Sequence, residues 1–139
     1  MKNVLAVAAT LAVGALAQNA QLTLPVAGQS VKAGAQLTVQ IQRPTPPTNT
    51  EEMAVAIGLQ SCPDAACYPT SEMLGSLLYN GPYDPEYHEY YLPQYQNFTV
   101  TIPAGTAAGK ATLGVARSAL TGASEVAFLQ FLNQTITIT

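Results

Sequence analysis

The sequence has no tryptophan, a single histidine and few charged residues, which make up 9% of its 139 positions. Five lysines and arginines against eight aspartates and glutamates give a net charge of −3, so the chain lacks the positive charge that nonspecific nucleic-acid binding requires. A zinc site at the two cysteines would need further soft ligands, and the chain offers a single histidine. No glycine-rich stretch has the spacing and the Lys-Ser/Thr pair that hold nucleotide phosphates. We therefore expect no nucleic-acid partner, no metal and no cofactor.

Catalytic groups are equally scarce. His88 lies in a proline-punctuated segment with no nucleophile-elbow sequence, so a nucleophilic triad is not expected. Paired carboxylates hydrolyse glycosides, and Glu51-Glu52 or Asp84 with Glu86 are the candidates that the sequence offers. Neighbours in sequence need not oppose each other across a substrate, so we interpret these residues as solvated loop acids. The sequence predicts that the protein is not an enzyme.

The first residues have the pattern of a secretory signal peptide. Lys2 gives a positive start, an apolar run follows from Val4 to Gly14, and Ala15-Leu16-Ala17 fits a cleavage site with small residues at both ends. The apolar run is too short to span a hydrocarbon core of about 30 Å, so a membrane anchor is not expected. The sequence predicts a signal peptide over residues 1–17 and a secreted, extracellular chain over residues 18–139.

Secretion determines how the two cysteines are interpreted. Cys62 and Cys67 enclose a Pro-Asp-Ala-Ala turn, and an oxidising compartment favours a disulfide across it. Closing so short a loop stabilises a fold by about 2 kcal/mol, which fixes a turn without replacing a hydrophobic core. A metal or redox pair is the alternative.

The hydrophobic pattern has a period of two. Leu37, Val39 and Ile41 alternate with polar residues, as in a strand with one buried face. Glycines and prolines that form turns separate similar segments, and helix is expected only as one turn near Ser71 to Leu78. About seven short strands predict an all-β domain, an immunoglobulin-like β-sandwich that we expect to be a monomer. The other strand segments are Leu22 to Leu24, Met53 to Leu59, Leu77 to Tyr79, Phe98 to Ile102, Leu113 to Val115 and Leu132 to Ile138.

Two sequons match the acceptor pattern for N-glycosylation, one at Asn97 and one at Asn133. In the register that turns Phe98 and Val100 towards the core, Asn97 faces solvent. The same alternation in the last strand turns Asn133 outward. We therefore predict that both asparagines are exposed and glycosylated.

One segment concentrates the aromatic residues. From Tyr79 to Tyr95 the chain holds six of its seven tyrosines, together with three prolines and three acids. Tyrosine offers a large rigid contact area and a hydroxyl, and it is enriched in interfaces. Two interpretations stay open: a cover over a sheet edge, which we favour, or a recognition loop. The candidate binding residues are Tyr83, Tyr87, Tyr90, Tyr91 and Tyr95, and a further alternative is calcium held by Asp84, Glu86 and Glu89.

Five segments have a familiar order and spacing. They are PVAGQSVKAGAQLTVQI at 25–41, VAIG at 55–58, the Leu74-Gly75 pair, GKATLGVARSALTGA at 109–123 and NQTIT at 133–137. Together they resemble the fungal necrosis-inducing secreted protein family of effectors, over most of the chain. The Pro44 to Pro47 stretch, the Cys62 to Cys67 turn and the tyrosine-rich segment depart from the pattern of that family.

The resemblance implies a secreted virulence protein that is not an enzyme. Such a protein binds plant immune receptor kinases, dampens pattern-triggered defence and, in some members, induces necrosis in host tissue. The family supplies no catalytic residues, so the tyrosine-rich segment is the binding surface that this interpretation requires. The competing class is a cell-wall or carbohydrate-associated β-sandwich module, whose flat sugar sites favour tryptophan but can use tyrosine instead.

Overall fold

The computed structural model describes residues 19–44 and 49–139. Every segment predicted from the alternating pattern is a strand, and the structure contains one further strand of two residues. No helix occurs in the described residues. The predicted signal peptide over residues 1–17 and most of the Pro44 to Pro47 stretch lie outside the described residues. The strands are β1 (Gln21–Leu24), β2 (Ser30–Val31), β3 (Gln36–Arg43), β4 (Thr50–Ser61), β5 (Ser76–Pro82), β6 (Gln94–Thr101), β7 (Gly109–Thr121) and β8 (Val126–Ile138).

The strands form two sheets, with the orders β1-β3-β6 and β2-β8-β7-β4-β5. Every pair is antiparallel except β2 with β8, which is parallel. The inward residues of both sheets meet in one hydrophobic cluster, which confirms the predicted all-β sandwich. The cluster includes Val39, Ile41, Phe98 and Val100 from the smaller sheet and Ile57, Leu113, Val115 and Ile136 from the larger one.

Strand β4 does not keep a simple alternation. Val55 faces the core, and extending the period backwards predicts that Met53 does so too. However, the register of β4 with β7 shifts between Glu52 and Ala54, which is the mark of a β-bulge. As a result Met53 is 51% exposed, and the side chain of Glu52 is turned inward. The predicted inward position of Met53 is therefore wrong.

Residues 62–75 form a loop between β4 and β5, which we call the disulfide loop. Its Thr70 and Leu74 lie over Gly114 and Gly58, which are register partners on β7 and β4. A Cβ atom on Gly58 would lie 2.5 Å from Leu74 Cγ, and one on Gly114 would lie 2.7 Å from Thr70 Cγ2. Glycine at both positions therefore lets the loop rest directly on the outer face of the five-stranded sheet.

The helix expected near Ser71 to Leu78 is wrong. The amide of Met73 donates to the Pro69 carbonyl oxygen at 3.0 Å, but the turn does not continue. Gly75 has a φ of 86°, and a Cβ atom there would lie 2.2 Å from the Leu59 carbonyl oxygen. Glycine is the residue that adopts this left-handed backbone conformation most readily. At Gly75 it ends the turn and leads the chain directly into β5.

The disulfide loop is fixed by a covalent bond and by one buried side chain. The predicted bridge between Cys62 and Cys67 is present. Gln60, buried on β4, accepts a hydrogen bond from the Tyr68 amide at 2.7 Å and donates one to the Tyr68 carbonyl oxygen at 3.1 Å. The amide group of Gln60 thereby satisfies backbone groups that the loop leaves without strand partners.

Candidate functional site

Residues 83–93 connect β5 to β6 and form what we call the tyrosine loop. The loop folds back on the start of β6, because Glu86 and Tyr95 exchange backbone hydrogen bonds of 3.0 and 3.2 Å. The amide of Asp84 donates to the Gln96 side chain at 2.8 Å. These bonds hold the first half of the loop against β6, an edge strand of the three-stranded sheet.

Tyr95 supports the middle of the tyrosine loop. Its ring stacks on the ring of His88 with centroids 4.3 Å apart, and His88 Nε2 lies 3.1 Å from the Tyr95 carbonyl oxygen. The Tyr95 hydroxyl donates to the Glu89 carboxylate, 3.0 Å from each oxygen. Burial and the hydrogen bond to Glu89 raise the pKa of Tyr95, so the hydroxyl stays protonated and keeps donating at neutral pH.

Tyr83 fixes the beginning of the loop from inside the sandwich. Its side chain is 2% exposed, its ring lies 6.3 Å from that of Phe98, and its hydroxyl donates to the Ile41 carbonyl oxygen at 3.1 Å. Burial raises the pKa of Tyr83 far above its ordinary value, and the nearby Glu52 carboxylate raises it further. The neutral hydroxyl is therefore a structural group.

The three remaining candidate tyrosines point into solvent. Tyr90 is 98% exposed, and Tyr87 and Tyr91 are exposed as well. The rings of Tyr90 and Tyr91 meet edge to face, with centroids 5.4 Å apart and planes at 85°. Exposed aromatic rings grouped on one anchored loop are typical of a binding surface.

The structure divides the five predicted binding residues into two groups. Tyr83 and Tyr95 are buried and hold the loop, so the structure places them as supporting residues rather than as exposed contact residues. Tyr87, Tyr90 and Tyr91 form the accessible set. The loop therefore covers the edge of β6 with its buried residues, and recognition through its exposed rings stays a prediction.

A shallow depression of about 350 Å³ lies beside the tyrosine loop. Within residues 19–44 and 49–139, neither Asp84 nor Glu86 forms an ion pair, so the depression carries uncompensated negative charge. Its lining consists of Asp84, Glu86, His88, Tyr95, Gln96 and Asn97. In the same part of the chain no group of three His, Cys, Asp or Glu side chains is placed to hold a metal ion. The Glu89 carboxylate, one of the three predicted calcium ligands, accepts a hydrogen bond from the Tyr95 hydroxyl.

The carboxylates of Glu51 and Glu52 do not face each other. Glu51 is exposed, whereas Glu52 accepts a bond from Arg117 Nε at 2.7 Å. Arg117 is fully buried and donates a further bond to Gln130 at 2.8 Å. Sequence reasoning missed this buried cluster, although Arg117 interrupts an apolar alternation that continues on either side of it.

Both sequon asparagines are exposed on the outer faces of their sheets, as predicted. Asn97 lies on β6, where its side-chain oxygen accepts a bond from Gln40 at 3.0 Å, and Asn133 lies on β8. Their glycosylation stays a prediction.

Replacing Tyr95 by phenylalanine should lower the thermal midpoint by about 2 °C at pH 8, because the ring stack remains but Glu89 loses its donor. The pKa of Tyr95 is higher in the fold than in the unfolded chain, so the contribution of the hydroxyl is complete below about pH 10 and is lost as the pH rises through the folded value. Melting curves of the two proteins from pH 8 to pH 11 measure this. A midpoint difference that stays constant over the whole range would contradict the assignment.

A family model described as the Nis1 family matches residues 15–137. No curated protein matches the chain. Among the described residues, no helix is long and apolar enough to cross a membrane.

Proposed function

The chain belongs to the Nis1 family, a family of effector-like proteins, and on that premise we propose that it is a secreted fungal effector that binds host immune receptor kinases. In this proposal the protein acts by occupying a receptor kinase, which dampens pattern-triggered defence, and it catalyses no reaction. The observation that carries the proposal is the tyrosine loop, which is anchored by buried Tyr83 and Tyr95 and exposes three aromatic rings.

The anchoring matters because binding costs free energy for every side chain and loop that must be ordered. Backbone bonds between Glu86 and Tyr95 and the stack of His88 on Tyr95 already restrict the loop before a partner arrives. Tyr87, Tyr90 and Tyr91 can then bury large areas with few torsions to freeze. A rigid aromatic surface of this kind supports protein recognition.

The charge of the depression favours a basic partner surface. Asp84 and Glu86 line the depression and belong to the same loop as the exposed tyrosines, and the whole chain has a net charge of −3. Lysine or arginine side chains on the kinase, placed at the rim of the contact, would steer association and fix its orientation. Two of the groups with catalytic potential have structural partners, since His88 stacks on Tyr95 and Glu52 is paired with Arg117.

The geometry gives less support to a wall-binding module. A flat sugar platform needs aromatic rings that lie in one plane, whereas the planes of Tyr90 and Tyr91 are at 85°. The two classes make opposite predictions for a simple retention experiment.

The test uses chain 18–139, secreted from a eukaryotic host and immobilised, with purified ectodomains and kinase domains of plant pattern-recognition receptors as one probe and insoluble chitin and glucan as the other. We expect capture of a receptor domain and no retention on polysaccharide. Raising the NaCl concentration from about 0.05 to 0.5 M should slow association about tenfold with little effect on dissociation.

The matched control for that experiment is the variant Asp84→Asn with Glu86→Gln, which keeps side-chain size and removes both charges. Its association rate should depend much less on salt. Retention on chitin or glucan without capture of any receptor domain would show that the protein belongs to the wall-binding class instead.

A further inference from the structure

The outer face of the five-stranded sheet is only partly covered. The disulfide loop rests on the row formed by Gly58 and Gly114. In the next row Phe131 of β8 pairs with Ala116 of β7, which pairs in turn with Ala56 of β4. Phe131 is 40% exposed and Leu129, two residues earlier, is more exposed still. Beside these large side chains the sheet offers only small ones, so a shallow apolar patch remains in solvent.

Asn133 stands at the border of this patch. Ile136 and Ile138 are buried, so the odd-numbered residues of β8 face outward. Phe131 and Asn133 therefore project from the same face, about 7 Å apart along the strand. The register partner of Asn133 is Gly114, which lies beneath Thr70 of the disulfide loop. A group attached to Asn133 thus has the disulfide loop on one side and the ring of Phe131 on the other.

We propose that Asn133 carries an N-linked glycan whose first N-acetylglucosamine packs on the ring of Phe131, so that the sugar covers the apolar patch. An aromatic ring has a negative face, and the axial C–H groups of a pyranose give an apolar surface with partial positive charge that suits it. The inference rests on the secretion that is part of the proposed function, because N-glycosylation takes place in the secretory pathway.

The transfer itself is balanced. Nδ2 of Asn133 forms a bond to C1 of the sugar, and the bond from C1 to the phosphate oxygen of a polyprenyl-diphosphate-linked oligosaccharide breaks. The amide loses one proton and the polyprenyl diphosphate leaves, with no change of oxidation state. Asn133 is exposed, and Thr135 supplies the hydroxyl residue that the sequon requires.

The second sequon is an internal control. Asn97 also has an aromatic residue two positions earlier, Tyr95, but this residue is only 8% exposed and its ring is already stacked on His88. A sugar on Asn97 therefore has no exposed face of the Tyr95 ring on which to pack. Both sequons thus have an aromatic residue two positions before the asparagine, and the ring is exposed only beside Asn133.

The experiment compares proteins secreted from a eukaryotic host and trimmed by an endoglycosidase to one N-acetylglucosamine per site. Mass spectrometry should find Asn133 occupied. N133Q should lower the thermal midpoint by about 3 °C, whereas N97Q should change it by less than about 1 °C. In a Phe131→Leu background, which keeps an apolar side chain but removes the ring, N133Q should also change the midpoint by less than about 1 °C.

A second measurement does not depend on stability. Sugar protons that lie over an aromatic ring are shifted upfield in proton NMR spectra, and this shift should be present in the trimmed protein and absent from its Phe131→Leu variant. Three results would overturn the proposal: an unmodified Asn133, an equal effect of N133Q with and without Phe131, or a glycosylated protein that dimerises through this face. All of these readouts are independent of kinase capture, so a failure here is distinguishable from a failure of the proposed function.

Discussion

Replacing Arg117 by methionine is expected to lower the free energy of unfolding by about 3 kcal/mol, because it leaves the Glu52 carboxylate buried without its main partner. Arg117 contacts both carboxylate oxygens of Glu52, with Nε donating to Oε2 at 2.7 Å. Its guanidinium also lies over the Phe128 ring, 5.1 Å from the centroid. Arg43, 3.8 Å from the same carboxylate, keeps the loss near the lower end of the range for broken buried pairs.

The matched variant is the double substitution Arg117→Met with Glu52→Gln. Because both members of the buried pair are then uncharged and only Arg43, whose side chain is 18% exposed, remains charged beside them, this variant should recover about 2 kcal/mol relative to Arg117→Met alone. Urea titrations of the wild type, both single variants and the double variant measure this coupling, and the slope of each transition checks that unfolding remains cooperative. A loss below about 1 kcal/mol for Arg117→Met, or simple additivity in the double variant, would show that the pair contributes little.

The buried pair also lies near the base of the proposed recognition element. The charges of Glu52, Arg117 and Arg43 all act on the hydroxyl of Tyr83, the residue that fixes the beginning of the tyrosine loop. The polar cluster and the loop are therefore parts of one end of the sandwich.

Most of the fold could be predicted because its signals are local. A strand with one buried face repeats every two residues, so Leu37 to Ile41 and Phe98 to Ile102 were recognisable without any knowledge of their partners. The same period placed Asn97 and Asn133 on the solvent side. The turn between Cys62 and Cys67 is equally local, since only a few residues separate the two sulfur atoms.

The features that could not be predicted depend on contacts distant in sequence. Glu52 faces Arg117 only because a bulge shifts β4 by one residue against β7. No local sequence pattern predicts that shift. The Leu74-Gly75 pair contributes to the family resemblance, but its structural role depends on the pairing of Gly58 with Gly114 across two strands.

The tyrosines of the loop show the same limit. Tyr83 and Tyr91 have identical side chains and each precedes a proline by two residues, yet one is buried and the other is exposed. The difference arises because the Tyr83 hydroxyl reaches the carbonyl oxygen of Ile41 on β3. Sequence could therefore locate the candidate site, but not separate its supporting residues from its accessible ones.

Substituting alanine for Tyr87, Tyr90 and Tyr91 together is expected to weaken binding to the captured receptor kinase domain by about 100-fold, since buried aromatic anchors carry most of the free energy of a protein interface. The thermal midpoint should change by less than about 2 °C, because the three rings are exposed and surface substitutions have small effects on stability. The matched control is Tyr68→Ala, an exposed tyrosine on the disulfide loop, which should bind as the wild type does.

The affinity of this triple variant for the receptor domain, measured beside its melting curve, tests the central claim most directly. The account predicts a large loss of affinity in a protein that melts like the wild type. Affinity equal to that of the wild type would contradict the assignment of the tyrosine loop as the binding surface. A collapse of the midpoint would contradict it as well, because it would mean that the three rings serve only the fold.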